Sequence, residues 1–147
     1  MQSLDDKTLS FIRDHRVARL ATADRAGQPS VIPICYAFDG EHFYSVIDRK
    51  PKSVQPLELK RVRNISQNPQ VSIVIDDYSE EWSDLRYVLI TGTAELREPG
   101  GTAAGEHSKA IELLREKYPQ YLAMEIGQQV LIKITPTGVK RWAYAGW

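Results

Sequence analysis

The stretch LKRVRNISQNPQVSIVI (residues 59–75) changes within a few positions from a helical to an extended pattern. Its first part is basic and polar. It ends at Asn68-Pro69, where proline stops a helix and disfavours helical backbone at the residue before it. Residues 71–75 are mostly β-branched and apolar, which favours a buried strand. The stretch therefore predicts a short basic helix that turns directly into a strand.

Positive charge is concentrated around this helix. Six basic residues and a single acid, Glu58, occupy positions 49–63, although the net charge of the chain is zero. A local cluster of cations on a neutral protein indicates a specific anionic ligand, with a solvated helix face as the alternative. Basic side chains at the start of a helix can join free backbone N–H groups in holding a phosphate. The basic residues are Arg49, Lys50, Lys52, Lys60, Arg61 and Arg63.

Length and composition predict a single soluble domain that spans residues 1–147. The zero net charge argues against nucleic acid as the main partner, because such binding usually needs a broad basic surface. One cysteine allows no internal disulfide and fits a reducing, cytoplasmic compartment. We expect no membrane association, because no apolar run reaches membrane-spanning length and the acidic N-terminal residues lack the apolar centre of a secretory signal.

Apolar periodicity and turn residues predict six or seven strands and three helices. Ser3 with Asp6 resembles a capping box, so the first helix is expected to begin there. Asp39-Gly40 predicts a tight hairpin, and Pro33 predicts a sheet edge, a bulge or a backbone that faces a ligand. The predicted helices are 3–15, 59–68 and 106–118, and the predicted strands are 17–23, 30–38, 42–47, 71–75, 85–97, 129–135 and 139–145, the last two joined by a turn at Pro136-Thr137-Gly138.

The lengths of the connections indicate the topology. Most of them are as short as hairpin loops, so we expect a mainly antiparallel sheet. Helices and strands do not alternate, which excludes a doubly wound nucleotide-binding fold. Closure into a small barrel would bury both edges of the sheet. We therefore predict a mainly-β, α+β fold in which a small barrel is accompanied by about three short helices.

Recognisable catalytic motifs are scarce in this chain. Its three histidines are scattered, and with one cysteine they give no zinc-binding spacing, so we predict no metal site and name no catalytic side chain. Neither a glycine-rich phosphate loop nor a G-x-S-x-G elbow is present. Cys35 is expected to be a small core residue. If the protein is an enzyme, we expect a cofactor to carry its chemistry.

Five short pieces follow one another in order between Val17 and Glu95. They are residues 18–23 before the Gly27-Gln28-Pro29 turn, the strands around Asp39-Gly40, residues 43–45, Lys60-Arg61 leading to residues 68–72, and the strand 87–95. Together they resemble the split β-barrel flavin and deazaflavin oxidoreductases, the superfamily that includes pyridoxamine 5′-phosphate oxidase. The resemblance implies a split β-barrel of the FMN-binding type.

Further features extend the resemblance over nearly the whole chain. They are Asp48–Lys52, the basic helix with Asn64-Ile65, Asp77 and Tyr78 ahead of Trp82, the run Lys117-Tyr118-Pro119-Gln120-Tyr121, and Arg141-Trp142. This combination is similar to one subfamily, the probable enzymes of the deazaflavin coenzyme F-420. The similarity implies that the protein transfers a hydride between bound F-420 and a small organic substrate.

The resemblance also implies a homodimer with two cofactor sites at the subunit interface. Lys60 and Arg61 fall where the family holds the cofactor phosphate. Nearby cations would extend the site toward the phosphate and polyglutamate tail of F-420, which makes F-420 preferable to FMN. The residues of this extension are Arg49, Lys50 and Lys52.

The ring of the cofactor is expected to lie beside the backbone of residues 32–36, in the second predicted strand. Tyr87 occupies the position of a ring-contacting glutamine in pyridoxamine phosphate oxidases, and Trp142 is expected either to cap the partner's ring or to seal the dimer. Two residues at the end of the third strand complete the site. The predicted set is Ile32, Pro33, Ile34, Tyr44, Ser45, Tyr87 and Trp142.

Two departures from the family affect the substrate. Ile32 and Ala37 stand where pyridoxamine phosphate oxidases carry an arginine and a lysine, and their C-terminal Arg-x-His motif is absent. We therefore do not expect vitamin B6 oxidation. The alternatives to an F-420 enzyme are an FMN-dependent oxidoreductase on the same scaffold, a non-catalytic module that binds flavin or haem, and a dimeric structural protein with a vestigial pocket.

Overall fold

A computed structural model describes residues 3–47 and 59–147 of the chain. Seven strands form one sheet in the order β2-β1-β5-β6-β7-β4-β3, and every neighbouring pair is antiparallel. The helices are α1 (Asp6–Asp14), α2 (Lys60–Gln67) and α3 (Ala104–Lys117). The strands are β1 (Ala18–Ala23), β2 (Pro29–Ile34), β3 (Ala37–Phe38), β4 (Phe43–Val46), β5 (Gln70–Asp77), β6 (Arg86–Arg97) and β7 (Leu131–Ala143).

The sheet curls because its two edge strands are consecutive in the chain. Only Cys35 and Tyr36 connect β2 at one edge with β3 at the other. Three Cα–Cα steps of about 3.8 Å bring the two edges within roughly 11 Å of each other at this point. A seven-stranded sheet can meet this condition only by bending round on itself. The predicted split β-barrel and its mainly antiparallel pairing are thus confirmed.

Two apolar clusters stabilise the fold. The first fills the barrel, where α1 and α2 contribute Phe11, Ile12, Val62 and Ile65 to the inward side chains of the strands. The second packs α3 against β3, β4 and the first part of β7. The first four residues of β7 are therefore all buried, because this part of the strand has a cluster on each face.

The boundaries of the first helix differ from the prediction. Asp5, rather than Ser3, caps α1, and its carboxylate accepts a hydrogen bond of 2.8 Å from the Thr8 backbone N–H. Chiefly because of hydrogen bonds from Thr8, the pKa of Asp5 falls to about 2. The predicted strand 30–38 is divided into β2 and β3. Pro33 lies on an edge strand, which is one of the three settings predicted for it. Proline is tolerated at a sheet edge, where a missing backbone N–H need not interrupt the pairing between strands.

The predicted turn at Pro136-Thr137-Gly138 is wrong. β7 continues through these residues, and Gly92 pairs with Pro136 whereas Thr91 pairs with Gly138, so that Thr137 is an extra residue in a β-bulge. Proline and glycine are common at bulges as well as at turns. Pairing with all twelve residues of β6 keeps the strand continuous here. None of the helices within 3–47 and 59–147 has the length and hydropathy needed to cross a membrane.

Gly92 is required opposite this bulge. A Cβ added to Gly92 would lie 2.5 Å from the Thr135 carbonyl oxygen, which is backbone and cannot move aside cheaply. We expect Gly92→Ala to lower the free energy of unfolding by about 1–3 kcal/mol through overpacking. A Cβ added to Gly105 in α3 would meet no heavy atom within 4 Å, so Gly105→Ala should raise stability by about 0.5–1 kcal/mol. Urea unfolding of both variants tests this, and equal effects would contradict it.

Candidate functional site

A cavity of about 390 Å³ lies where the two sides of the barrel separate. One wall is the end of edge strand β2, and the opposite wall is the end of β4. The first turn of α2 and the segment after α3 complete it. The lining residues are Val17, Ile32, Pro33, Ile34, Cys35, Ser45, Val46, Arg61 and Tyr121.

Five residues of the predicted site are brought together here. Ile32, Pro33 and Ile34 come from β2, Ser45 from β4 and Arg61 from α2. Lys60 precedes Arg61 and is exposed at the start of the helix. The remaining predicted cations, Arg49, Lys50 and Lys52, lie outside the described residues.

Helix α2 is anchored so that its first turn reaches the cavity. Val62 and Ile65 are buried in the barrel core, and the side-chain amide of Asn64 donates a hydrogen bond of 2.9 Å to the Thr22 hydroxyl. Leu59 occupies the N-cap position and its side chain makes no capping hydrogen bond. The first N–H groups of a helix and its dipole favour an anion, and the described N-cap residue does not compete for these groups.

Tyr44 does not line this cavity. Its side chain is buried with Ala37 and Val46 in the cluster beneath α3. Burial, followed by the nearby negative charge of Glu106, raises the pKa of the Tyr44 hydroxyl. The structure thus places Tyr44 behind the cavity wall.

Tyr87 and Trp142 form a pair on the outer face of the sheet. They are directly opposite each other on β6 and β7, with ring centroids 5.8 Å apart and planes inclined by 24°. Trp142 is 43% exposed. Strand alternation turns Tyr87 away from the barrel core, which receives its neighbour Val88. Within the single chain, these two residues therefore lie on a different surface from the cavity.

Sequence reasoning missed four of the nine cavity residues, which are Val17, Cys35, Val46 and Tyr121. Cys35, expected in the core, is partly exposed and lines the cavity, because it lies in the crossover between the two edge strands. Tyr121 lies in the short helical turn Pro119–Ala123 after α3. The run Lys117–Tyr121 contained the signal for Tyr121, but sequence alone gives no measure of its distance from Arg61.

Comparison with known proteins agrees with the split β-barrel fold. The family model for pyridoxamine 5′-phosphate oxidase matches residues 4–143. The chain belongs to the pyridoxamine 5′-phosphate oxidase family. A reductase of 5a,11a-dehydrotetracycline and 5a,11a-dehydrooxytetracycline from Streptomyces rimosus is 28% identical over 110 residues, which are 74% of each protein. This relative agrees with the predicted oxidoreductase class.

Several solved structures share the fold of the chain. The haem storage protein HutZ from Vibrio cholerae superposes with a TM-score of 0.69 at 17% identity, over 97% of this chain and 95% of that one. An F420 reductase superposes with a TM-score of 0.58 at 20% identity, over 85% of this chain and 89% of that one. Similarity at this level concerns the fold, and the two proteins differ in the ligand that their names specify.

An unusual lysine lies behind the cavity. The ammonium of Lys117 is buried without a hydrogen-bond partner among the described residues, 3.8 Å from the centre of the Tyr36 ring. Burial, and then the positive charge of Arg16, lowers the pKa of Lys117 from 10.5 to about 8. An unfolded chain keeps this proton to higher pH, so between about pH 8 and 10 the unfolded state binds more protons and stability rises with pH.

We predict that replacing Lys117 removes this pH dependence. From about pH 8 to 9.5, the free energy of unfolding of the wild type should increase relative to that of Lys117→Met, which keeps an unbranched side chain without the charge. Urea unfolding at several pH values measures the difference. Lys109→Met, on the exposed side of α3, serves as the control and should follow the wild type. Parallel curves for wild type and Lys117→Met would refute the prediction.

Proposed function

We propose that this protein is an oxidoreductase that holds a flavin-type cofactor in the cavity between β2 and β4. We assign coenzyme F-420 as the cofactor, with FMN as the alternative. The observation that carries the proposal is the joint presence of Arg61, the first turn of α2 and an apolar edge strand around one cavity. A cofactor with an anionic tail and a flat ring needs these two kinds of surface next to each other.

The basic and the apolar walls can take different parts of such a cofactor. Arg61 and the first N–H groups of α2 suit a phosphate, and charge-assisted hydrogen bonds of this kind contribute about 1.5–3 kcal/mol each. Ile34 and Val46 offer apolar contact to a ring and exclude water from it. A cavity of about 390 Å³ lies within the usual range for small-molecule sites.

The density of positive charge favours F-420 over FMN. Six basic residues occupy positions 49–63, and a phosphate with a polyglutamate tail presents more negative charge than the single phosphate of FMN. The name of the F420 reductase of similar fold fits this choice, and the reductase relative supports the oxidoreductase class without distinguishing the cofactor.

Hydride exchange would be the chemistry of the cofactor ring, and the side chains of the chain would bind and orient it. Arg61 fixes one end by charge, while the backbone of residues 32–34 lies along the apolar part of the cavity. This division of labour explains why the chain needs no recognisable nucleophile or general base. A small organic substrate would approach from the open side of the cavity.

We further propose that two copies associate through the outer face of the sheet. Among the described helices, α1 and α2 pack into the barrel, and α3 covers this face only over β3, β4 and the first part of β7. Among the described residues, this face carries ion pairs between Arg19 and Asp76 at 2.9 Å and between Arg97 and Glu95 at 2.8 Å. Its apolar residues are Ala21, Val31, Val74, Leu89, Tyr87 and Trp142. In such a dimer, Tyr87 and Trp142 are available to the partner's cofactor site.

Cofactor titration tests the proposed function. The fluorescence of F-420 should reveal binding in the micromolar range or tighter, with weaker binding of FMN and haemin. The double variant Lys60→Ala/Arg61→Ala should weaken F-420 binding at least about tenfold, because it removes charge-assisted hydrogen bonds to the phosphate. The control, Lys7→Ala/Lys109→Ala, removes two exposed charges from other helices. Unchanged affinity in the first variant would rule out the assignment of these cations, and preference for haemin would favour a haem-binding module.

Association through the sheet face has its own test. Val31, which is 62% exposed on β2, would become buried in the proposed dimer. We expect Val31→Glu to convert the dimer to monomers in sedimentation velocity, because a carboxylate cannot be buried there without a partner. Leu122, which is 69% exposed, lies beyond α3 and away from this face, so Leu122→Glu should remain dimeric. Loss of the dimer in both variants, or in neither, would contradict the assignment of the interface.

A further inference from the structure

The run Lys117-Tyr118-Pro119-Gln120-Tyr121 connects the end of α3 to the cavity. Pro119 ends α3 and begins a short 3₁₀ turn in which the Tyr121 N–H donates to the Tyr118 carbonyl at 2.9 Å. The turn brings the two tyrosine rings to 5.5 Å in an edge-to-face arrangement. Tyr121 lines the cavity, and Tyr118 lies directly behind it.

The hydroxyl of Tyr118 is bonded to backbone on two separate segments. It accepts a hydrogen bond of 3.0 Å from the Tyr36 N–H. Its own proton faces two carbonyl oxygens, that of Arg16 at 2.8 Å and that of Tyr36 at 3.0 Å. Burial raises the pKa of Tyr118 to about 12, so the hydroxyl stays neutral and keeps both its donor and its acceptor.

Both of these segments lead directly into the cavity. Tyr36 follows Cys35, and Arg16 precedes Val17, and both Cys35 and Val17 line the cavity. Tyr36 belongs to neither β2 nor β3, so the sheet does not supply a partner for its N–H. A single side-chain oxygen therefore holds the crossover between the two edge strands and the start of β1.

The rest of the run acts on the same crossover. The Lys117 ammonium lies over the Tyr36 ring, and the Arg16 guanidinium donates to the Lys117 carbonyl and lies 5.6 Å from the centre of the Tyr118 ring. These contacts connect the end of α3 to one wall of the cavity at several points. Contacts from the end of α3, as well as strand pairing, therefore determine the position of that wall.

We propose that Tyr118 is a positioning residue for the cavity, and that its hydroxyl sets the distance between the Cys35–Tyr36 crossover and the rest of the site. The effect on cofactor binding rests on the proposed function, whereas the effect on the crossover does not. Without the hydroxyl, the Tyr36 N–H loses its partner and the crossover relaxes. A cofactor ring held against Ile34 and Cys35 would then bind more weakly and in an altered orientation.

The test compares Tyr118→Phe with Tyr36→Phe. The second variant also removes one buried tyrosine hydroxyl, but that hydroxyl donates to the Ile12 carbonyl in α1 and not to the crossover backbone. Cys35 is the only cysteine, so its reaction with a thiol reagent such as DTNB reports on one thiol in the crossover. Because the Cys35 side chain also interacts with the Tyr118 hydroxyl, the compared quantity is the pH-independent rate constant of the thiolate, obtained from a pH series. We expect a rate several-fold higher in Tyr118→Phe and a rate close to wild type in Tyr36→Phe.

Titration with F-420 and FMN provides the second readout. Tyr118→Phe should raise the Kd of the preferred cofactor about tenfold and change the absorption or induced circular dichroism of the bound ring, since the loss of one hydrogen bond is of this order. Tyr36→Phe should alter the melting temperature while leaving Kd and spectrum unchanged.

The outcomes separate the two proposals. An unchanged thiol rate in Tyr118→Phe overturns the positioning role, whatever the cofactor result. A faster rate with unchanged Kd and spectrum overturns its link to binding. If the wild type binds neither F-420 nor FMN, the proposed function fails while the thiol rate still decides the positioning role. Should Tyr118→Phe not fold, hydrogen exchange in the wild type decides: slow exchange of the Tyr36 N–H supports its bond to the Tyr118 hydroxyl, and fast exchange overturns the positioning role.

Discussion

The two-residue crossover Cys35–Tyr36 is the constraint on which the structure depends. It connects the first and last strands of a seven-stranded order, so the sheet has to curl until its edges approach each other. Edge strands normally need protection from pairing with other chains. Here the edge of β2 faces a cavity, and Pro33 on it has no N–H to offer. The same geometric condition thus produces the barrel, the gap in it and an edge suited to a flat ligand.

Much of this could be predicted from sequence because the signals are local. Pro69 fixes the end of α2 and the start of β5, and the alternation of β1 and β6 agrees with the sides that they bury. The passage of β7 through Pro136-Thr137-Gly138 could not be predicted, because a turn and a bulge have the same composition. β7 is continuous because it pairs with β6 along the whole length of that strand. Such pairing is a tertiary property, which a short stretch of sequence does not reveal.

The residues of the candidate site also differ in whether local sequence could predict them. The order of the sequence motifs predicted Arg61 and Ser45 as site residues, and in the structure both line one cavity with β2. Cys35 and Tyr121 are 86 positions apart in sequence, as their numbers show, and only the packing of α3 places both at the cavity wall. Sequence could not predict that they line the cavity, because each belongs to a connecting segment whose position depends on the elements that it joins. Long-range contacts of this kind leave no periodic trace in the sequence.

The separation of the predicted residues into a cavity and an outer aromatic pair has a thermodynamic consequence. If Tyr87 and Trp142 of one copy contact a cofactor in the other, the complete site exists only in the dimer. A ligand that binds the associated state in preference to the monomer must also strengthen association, because the two equilibria are linked. Cofactor binding and dimer formation would then be two measures of one interaction. In a chain with few recognisable catalytic groups, this coupling would allow assembly and cofactor loading to control activity together.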